Sequence, residues 1–251
     1  MCGICGFMAL RADISERTLL EMNACLARRG PDGSGHFQEG RIGLAMRRLA
    51  IIDLAGGQQP IFNETGTIAI VFNGEIYNYR KLRERLLLQG HQFRTDSDTE
   101  VIVHLYEQYG LDAPAHLAGM FAFAIWDSEK KVVVLGRDRL GIKPLFYSQL
   151  PEGVLFGSEM KALLATGLVP QDLDYQALDE YLTYTNVPCP RTIYAAIRQL
   201  EPGTTMSIAA DGRTEARRYW SVPVSAENIQ PESEWIKDCE DALRAAVESH
   251  L

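Results

Sequence analysis

Apolar residues in this chain fall in short runs broken by Gly, Pro, Asn and Asp, which is the rhythm of a strand-rich protein. The first run, Ile4 to Leu10, reads as a buried strand, and Thr67–Phe72 is a second run of apolar and β-branched residues. From Gly119 onward the pattern stays β-rich: Met120–Asp127, Lys131–Arg137, Leu145–Gln149 and Val154–Gly157, with Ser128-Glu129-Lys130 as a hairpin turn. Shorter strands are predicted near Arg41–Ala45 and Ala50–Asp53, separated by Met46–Leu49, and Thr192–Trp220 alternates strand-like pieces with turns. A helical period appears between these runs. Ser15–Arg28 carries an apolar stripe of Leu19, Leu20, Met22, Cys25 and Leu26 behind a Ser15 N-cap. Further helices are predicted over Tyr79–Gln89, Glu100–Tyr109, Glu159–Thr166, Asp174–Tyr184 and Glu232–Leu251.

Breakers mark where the chain turns. Arg28-Arg29-Gly30-Pro31-Asp32-Gly33 ends the first helix, either as a plain loop or with Arg29 and Asp32 shaping a pocket wall. Asn73-Gly74-Glu75 stops the second strand, since Asn-Gly favours a turn. Such a strand end could also expose an amide side chain and an unhindered backbone N–H. The charged stretch Arg137–Pro144 is expected to be a loop held by its own ion pairs. Val222–Pro231 reads as a linker, and the last helix keeps Trp235, Ile236, Cys239, Leu243 and Val247 on one face, implying a partner surface or a further domain.

Composition narrows the class without deciding the chemistry. The chain has 251 residues, 46% hydrophobic and 23% charged, room for one large domain or two small ones. A net charge of −8 makes nucleic acid an unexpected partner. No stretch approaches a membrane span of about 20 apolar residues, and no signal-peptide pattern opens the chain. Five cysteines without such a signal fit a reducing cytoplasm.

The chemistry concentrates in Met1-Cys2-Gly3-Ile4-Cys5-Gly6. With the initiator methionine removed, Cys2 would carry both a thiol and a free α-amine. An α-amine titrates near pH 8 and a free thiol near about 8.5, so base and nucleophile can reside in one residue. Two other readings stay open: Cys2-Gly3-Ile4-Cys5 could be a redox CxxC or half of a zinc site, though no His pair has ligand spacing, and the cysteines could be ordinary buried thiols. Arg48 is either a solvated arginine or a ligand-binding one. Thr95-Asp96-Ser97-Asp98-Thr99-Glu100 caps a helix, yet holds more acid than a cap needs, so one carboxylate could take a cationic group.

Taken together, the motifs resemble a known family. Cys-Gly-Ile at the start, Arg-Arg-Gly-Pro-Asp-Gly, Arg48-Leu49-Ala50-Ile51-Ile52-Asp53, Asn-Gly-Glu-Ile-Tyr-Asn and Ser-Asp-Thr-Glu look like class II glutamine amidotransferases. Gly119-Met120-Phe121-Ala122-Phe123-Ala124 and Gly136–Leu145 narrow the resemblance to the asparagine synthetase branch. It implies an α+β fold, the four-layer αββα N-terminal nucleophile hydrolase sandwich of two mainly antiparallel sheets. It also implies hydrolysis of glutamine to glutamate and ammonia through a Cys2 thioester. By the same resemblance Cys2 is the nucleophile and Asn73 and Gly74 form the oxyanion hole. Arg48 would bind the substrate carboxylate, and Glu75 and Asp98 its ammonium.

One departure limits the reading. The Ser-Gly-Gly-x-Asp-Ser loop of an ATP-dependent synthetase domain is not in the sequence. Residues 1–220 are therefore expected to be the glutaminase domain, and 221–251 a linker and first helix leading to a synthetase domain that is absent here. No metal and no cofactor are expected in this chain, ATP and Mg belonging to that missing domain. Expected partners are glutamine, a synthetase domain or subunit that receives the ammonia, and optionally a second copy in a homodimer, with no nucleic acid and no membrane. The acceptor, aspartate or another carboxylate, is not written in the sequence.

Overall fold

The computed structural model describes residues 1–11, 14–50, 56–224 and 230–250. Two six-stranded antiparallel sheets form its centre. The first has the order β10 (Arg198–Gln199), β8 (Phe146–Leu150), β9 (Gly153–Gly157), β1 (Gly3–Ala9), β3 (Ile42–Arg48), β2 (Gly33–Glu39). The second has the order β12 (Thr214–Arg218), β11 (Thr204–Ala209), β7 (Val132–Arg137), β6 (Gly119–Asp127), β5 (Ile68–Ile76), β4 (Ile61–Phe62).

Side-chain alternation explains the layering. Ile4 and Met8 of β1, Leu44 and Met46 of β3, and Ala69 and Val71 of β5 meet in one buried cluster between the sheets. The alternate residues, Cys5, Phe7 and Ala9 on β1, pack outward against α1 (Glu16–Cys25) and α4 (Met160–Leu164). On the far side Ile68, Ile70 and Phe72 of β5 pack outward against α2 (Tyr79–Leu88) and α3 (Asp98–Tyr109). Both strands are apolar on both faces because each is covered on both faces. This is the expected four-layer αββα sandwich. Of the remaining helices, α5 (Tyr175–Tyr184) follows Asp174 as N-cap, and α6 (Glu232–Ser249) has no buried residue. No helix among the described residues is long and apolar enough to cross a membrane.

Three local expectations are corrected. Asn73-Gly74-Glu75 is not a turn: β5 runs through it to Ile76, in register with Met120, Phe121 and Ala122 of β6. Gly74 is there for closeness, since a Cβ would lie 2.3 Å from the Met120 carbonyl oxygen. Tertiary pairing overrides the local Asn-Gly preference. Nor is the 137–144 loop held by ion pairs. The Asp138 carboxylate instead accepts backbone N–H groups of Phe121, Leu140, Ile142 and Lys143. The Arg137 guanidinium donates to the carbonyls of Lys143, Gly141 and Leu200. β3 also continues through Met46 to Arg48, where a gap between strands was expected. The strand predicted over Ala50–Asp53 lies mostly outside the described residues, as does part of the Val222–Pro231 linker.

Candidate active site

The order of the strands brings their ends to one cavity. Cys2, Arg48, Asn73, Gly74, Glu75 and Asp98 all line it, with Leu49, Gln59, Met120 and Lys143 beside them. Cys2 precedes β1, and the pairing of Gly3 with Arg47 carries it alongside the end of β3. The Leu49 N–H donates to the Cys2 Sγ at 3.3 Å, and the Leu49 carbonyl lies 3.5 Å from the same sulfur. Arg29 Nε donates to the Cys2 carbonyl at 2.8 Å while Glu159 holds the same guanidinium at 3.2 Å.

The Arg29–Gly33 loop therefore does more than end a helix. The Asp32 N–H donates to the Arg48 carbonyl at 3.0 Å, and its carboxylate accepts the Ala50 N–H at 3.0 Å. Gly30 permits the approach, since a Cβ there would sit 2.2 Å from the Arg47 carbonyl carbon. Arg48 itself is buried at the end of β3, opposite Gly33.

The edge of β5 supplies two donors. Backbone N–H groups of Phe72, Gly74 and Ile76 point the same way along a strand. Gln59 Oε1 accepts the first at 2.6 Å and Asp98 Oδ2 accepts the last at 3.0 Å. The Gly74 N–H stands between them, facing the cavity. Next to it, Asn73 Nδ2 is buried without a hydrogen-bond partner among the described residues. A buried donor of this kind is rare because it costs about 1–3 kcal/mol, so its place in the wall of a cavity that also holds a thiol calls for an explanation in terms of a ligand.

The acidic wall follows from the same strand edge. Ser97, not an aspartate, is the N-cap of α3, its hydroxyl accepting the Thr99 N–H at 3.2 Å. Asp98 is released from that duty and faces the cavity with Glu75. Burial lifts the Asp98 carboxyl, the Ile76 and Thr99 N–H groups oppose the lift, and the Glu75 charge adds to it; the result is about 6.

Lys143 is a residue the sequence reading missed. It is 6% exposed and lines the cavity, its Nζ lying 3.6 Å from the Met1 Sδ. The CxxC reading fails on geometry. Cys2 borders the inter-sheet cluster, whereas Cys5 is fully buried among Phe7, Leu19 and Leu163 on the other face, where burial drives its thiol far up. A guanidinium, two carboxylates, two unspent donors and a thiol in one cavity can hold a zwitterionic amino acid by both α-groups and set its side chain against sulfur.

The pattern described as the glutamine amidotransferase domain matches residues 1–220. The chain belongs to that family. Asparagine synthetase [glutamine-hydrolyzing] 1 of Bacillus subtilis (strain 168) is 39% identical over 262 residues, covering 100% of this chain and 40% of the relative. Asparagine synthetase [glutamine-hydrolyzing] 1 of Arabidopsis thaliana is 45% identical over 166 residues, 65% of this chain and 28% of the relative. The amidotransferase chain thus spans less than half the length of these relatives. Among solved structures, the glutamine phosphoribosylpyrophosphate amidotransferase of B. subtilis, complexed with ADP and GMP, superposes with a TM-score of 0.64 at 21% identity, covering 89% of this chain and 50% of that one. The allosteric regulatory enzyme of purine biosynthesis gives 0.66 at 22% over the same shares. These two superpositions establish the fold, the αββα sandwich of two antiparallel sheets.

Proposed function

We propose that this amidotransferase domain hydrolyses glutamine to glutamate and ammonia through a thioester on Cys2. The observation that carries the proposal is the convergence of the Cys2 thiol with the two unspent donors at Asn73 and Gly74. The Cys2 α-amine, exposed by loss of Met1, takes the thiol proton. Sulfur attacks the side-chain carboxamide carbon, and the oxyanion that forms is held by Asn73 Nδ2 and the Gly74 N–H. The protonated amine then gives its proton to the leaving nitrogen and ammonia departs. Water, deprotonated by the same amine, attacks the thioester and releases glutamate. Arg48 binds the α-carboxylate, Glu75 and Asp98 bind the α-ammonium, and the two clamps place the carboxamide over sulfur. Glutamate formation from glutamine, followed in a coupled assay, tests the proposal; a chain that turns over no glutamine with Cys2 as its amino terminus would refute it. The ammonia passes to a synthetase domain or subunit, for which the asparagine synthetase relatives make aspartate the first acceptor to assay.

Asp98 gives this scheme a pH signature. Its carboxyl must be ionised to hold the ammonium, and it ionises near pH 6. kcat/KM is therefore expected to fall as pH drops through about 6. Asp98→Asn should lose roughly 1.5–3 kcal/mol of substrate binding, about 10–150-fold in kcat/KM at neutral pH, and should flatten that acid limb. Stability should move the other way. A carboxyl raised from 3.8 to about 6 stabilises the fold fully below about pH 4 and loses that contribution as pH rises to 6. The asparagine variant should thus be more stable at neutral pH by up to about 3 kcal/mol. Kinetics and thermal unfolding across this range check both halves, and unchanged kcat/KM would reduce Asp98 to a structural residue.

A further inference from the structure

The structure gathers four metal-competent side chains well away in sequence from the thiol. Glu64 sits in the turn before β5, His91 follows α2, and His104 and Glu107 lie one turn apart on α3. We propose that Glu64, His91, His104 and Glu107 form a structural binding site for one four-coordinate divalent transition metal of the zinc class.

Distances carry the proposal. His104 Nδ1 lies 2.8 Å from Glu107 Oε2 and 3.6 Å from Glu64 Oε2. His91 Nδ1 lies 3.2 Å from Glu64 Oε1 and 3.4 Å from Glu107 Oε2. Zinc bonded to nitrogen and oxygen at about 2.0–2.1 Å in a tetrahedron sets its donors about 3.3 Å apart. The two edges to Glu107 Oε2, 2.8 and 3.4 Å, lie on either side of that length, and the two edges to Glu64, 3.2 and 3.6 Å, run to different oxygens of its carboxylate, which a turn of that side chain would merge into one donor. One donor atom from each residue lies within 4.8 Å of the other three, which leaves only a small closure for the like pairs.

The surroundings are built as an outer shell should be. Asn63 Nδ2 donates to Glu107 Oε1 at 2.8 Å and the Gln92 N–H donates to Glu64 Oε1 at 3.0 Å, fixing both carboxylates. The far nitrogen of His104 lies 3.8 Å from Glu100 Oε1, and that of His91 lies 2.8 Å from the Gln108 side-chain amide. Metal-ligating histidines usually donate their second N–H to an oxygen. Among the described residues His104 Nε2 has Glu100 as its nearest carboxylate without a hydrogen bond, and a flip of the Gln108 amide would turn its oxygen to the His91 N–H. Two nitrogens and two oxygens suit zinc and its first-row neighbours better than magnesium or calcium, which prefer all-oxygen shells. Four protein donors leave no open position, which makes the site structural. It would pin the 63–67 turn and the segment after α2 to the helix whose first residue is Asp98.

A proton is the competing occupant. Burial alone would strip it from His104, but the carboxylates of Glu100, Glu107 and Glu64 around it raise that ring to about 9. Cobalt(II) distinguishes the two. Metal-stripped full chain titrated with cobalt chloride should take up one equivalent, showing the visible bands of a tetrahedral ion and no near-ultraviolet thiolate charge-transfer band. Zinc should displace the cobalt and raise the melting temperature. The side chains of His91 and Glu64 are 10% and 23% exposed, so His91→Ala and Glu64→Gln should fold, as circular dichroism will check. Each should weaken cobalt by more than the 10–100-fold typical of an outer-shell loss, and Gln108→Ala by about that outer-shell amount. Absence of tetrahedral bands in the wild-type chain, a thiolate band, or uptake unchanged in His91→Ala would each overturn the proposal.

Discussion

Cys2→Ala is expected to abolish glutamate release, lowering the rate by more than about a thousandfold, while the protein folds as before. Among the described residues the sulfur at this position makes its hydrogen bonds with one backbone unit, Leu49, and borders the core from its edge. Its loss should therefore change stability by no more than about 1 kcal/mol. Cys2→Ser should be nearly as inactive, because a hydroxyl is much harder to ionise than a thiol and, among the described residues, no histidine lines the cavity to assist it. Glutamate release and thermal unfolding on the same samples make the comparison. Retention of more than a tenth of the wild-type rate by either variant would remove Cys2 from the chemistry.

Asn73→Ala is expected to have the next largest effect. An oxyanion donor acts on charge that develops only in the transition state, so its removal should lower kcat by about 10²–10³-fold, with little change in KM. The fold should not suffer correspondingly. Asn73 Nδ2 is already buried without a partner, a state that costs about 1–3 kcal/mol, so alanine relieves one penalty as it opens a small void. A lower kcat with an unchanged or higher melting temperature is the combination that separates a chemical role from a structural one. A large fall in stability with kcat retained would assign Asn73 to the core instead.

How much of this was legible beforehand depends on the distance over which each feature is determined. β1, β6 and β7 were visible as apolar runs because both their faces are buried. β2, Gly33–Glu39, was not: it is a polar, half-exposed edge strand paired, among the described residues, with β3 alone, and nothing local announces it. Asn73-Gly74 was misread as a turn because its local preference is real and its pairing with β6 lies almost fifty residues away. The residues of the cavity were identifiable from ordered motifs, and the fold brings all six together. Arg29, Asp32 and Gln59 could not be assigned in the same way. Their partners are a carbonyl or N–H at Cys2, Ala50 and Phe72, and backbone groups have no signature in sequence. The Glu64, His91, His104 and Glu107 cluster escaped for a related reason, since only the last two share an element.

The central claim is that one residue supplies both nucleophile and base, and this requires Cys2 to be the amino terminus. Met1 borders the cavity and its sulfur contacts Lys143, so its retention would also put bulk beside the thiol. The most direct measurement takes one preparation carrying Met1, verified by intact mass, and assays glutamate release before and after Met1 is removed with methionine aminopeptidase. Activity that is negligible at first and rises in proportion to the fraction beginning at Cys2 is the predicted result. Full activity in the sample that still carries Met1 would contradict it.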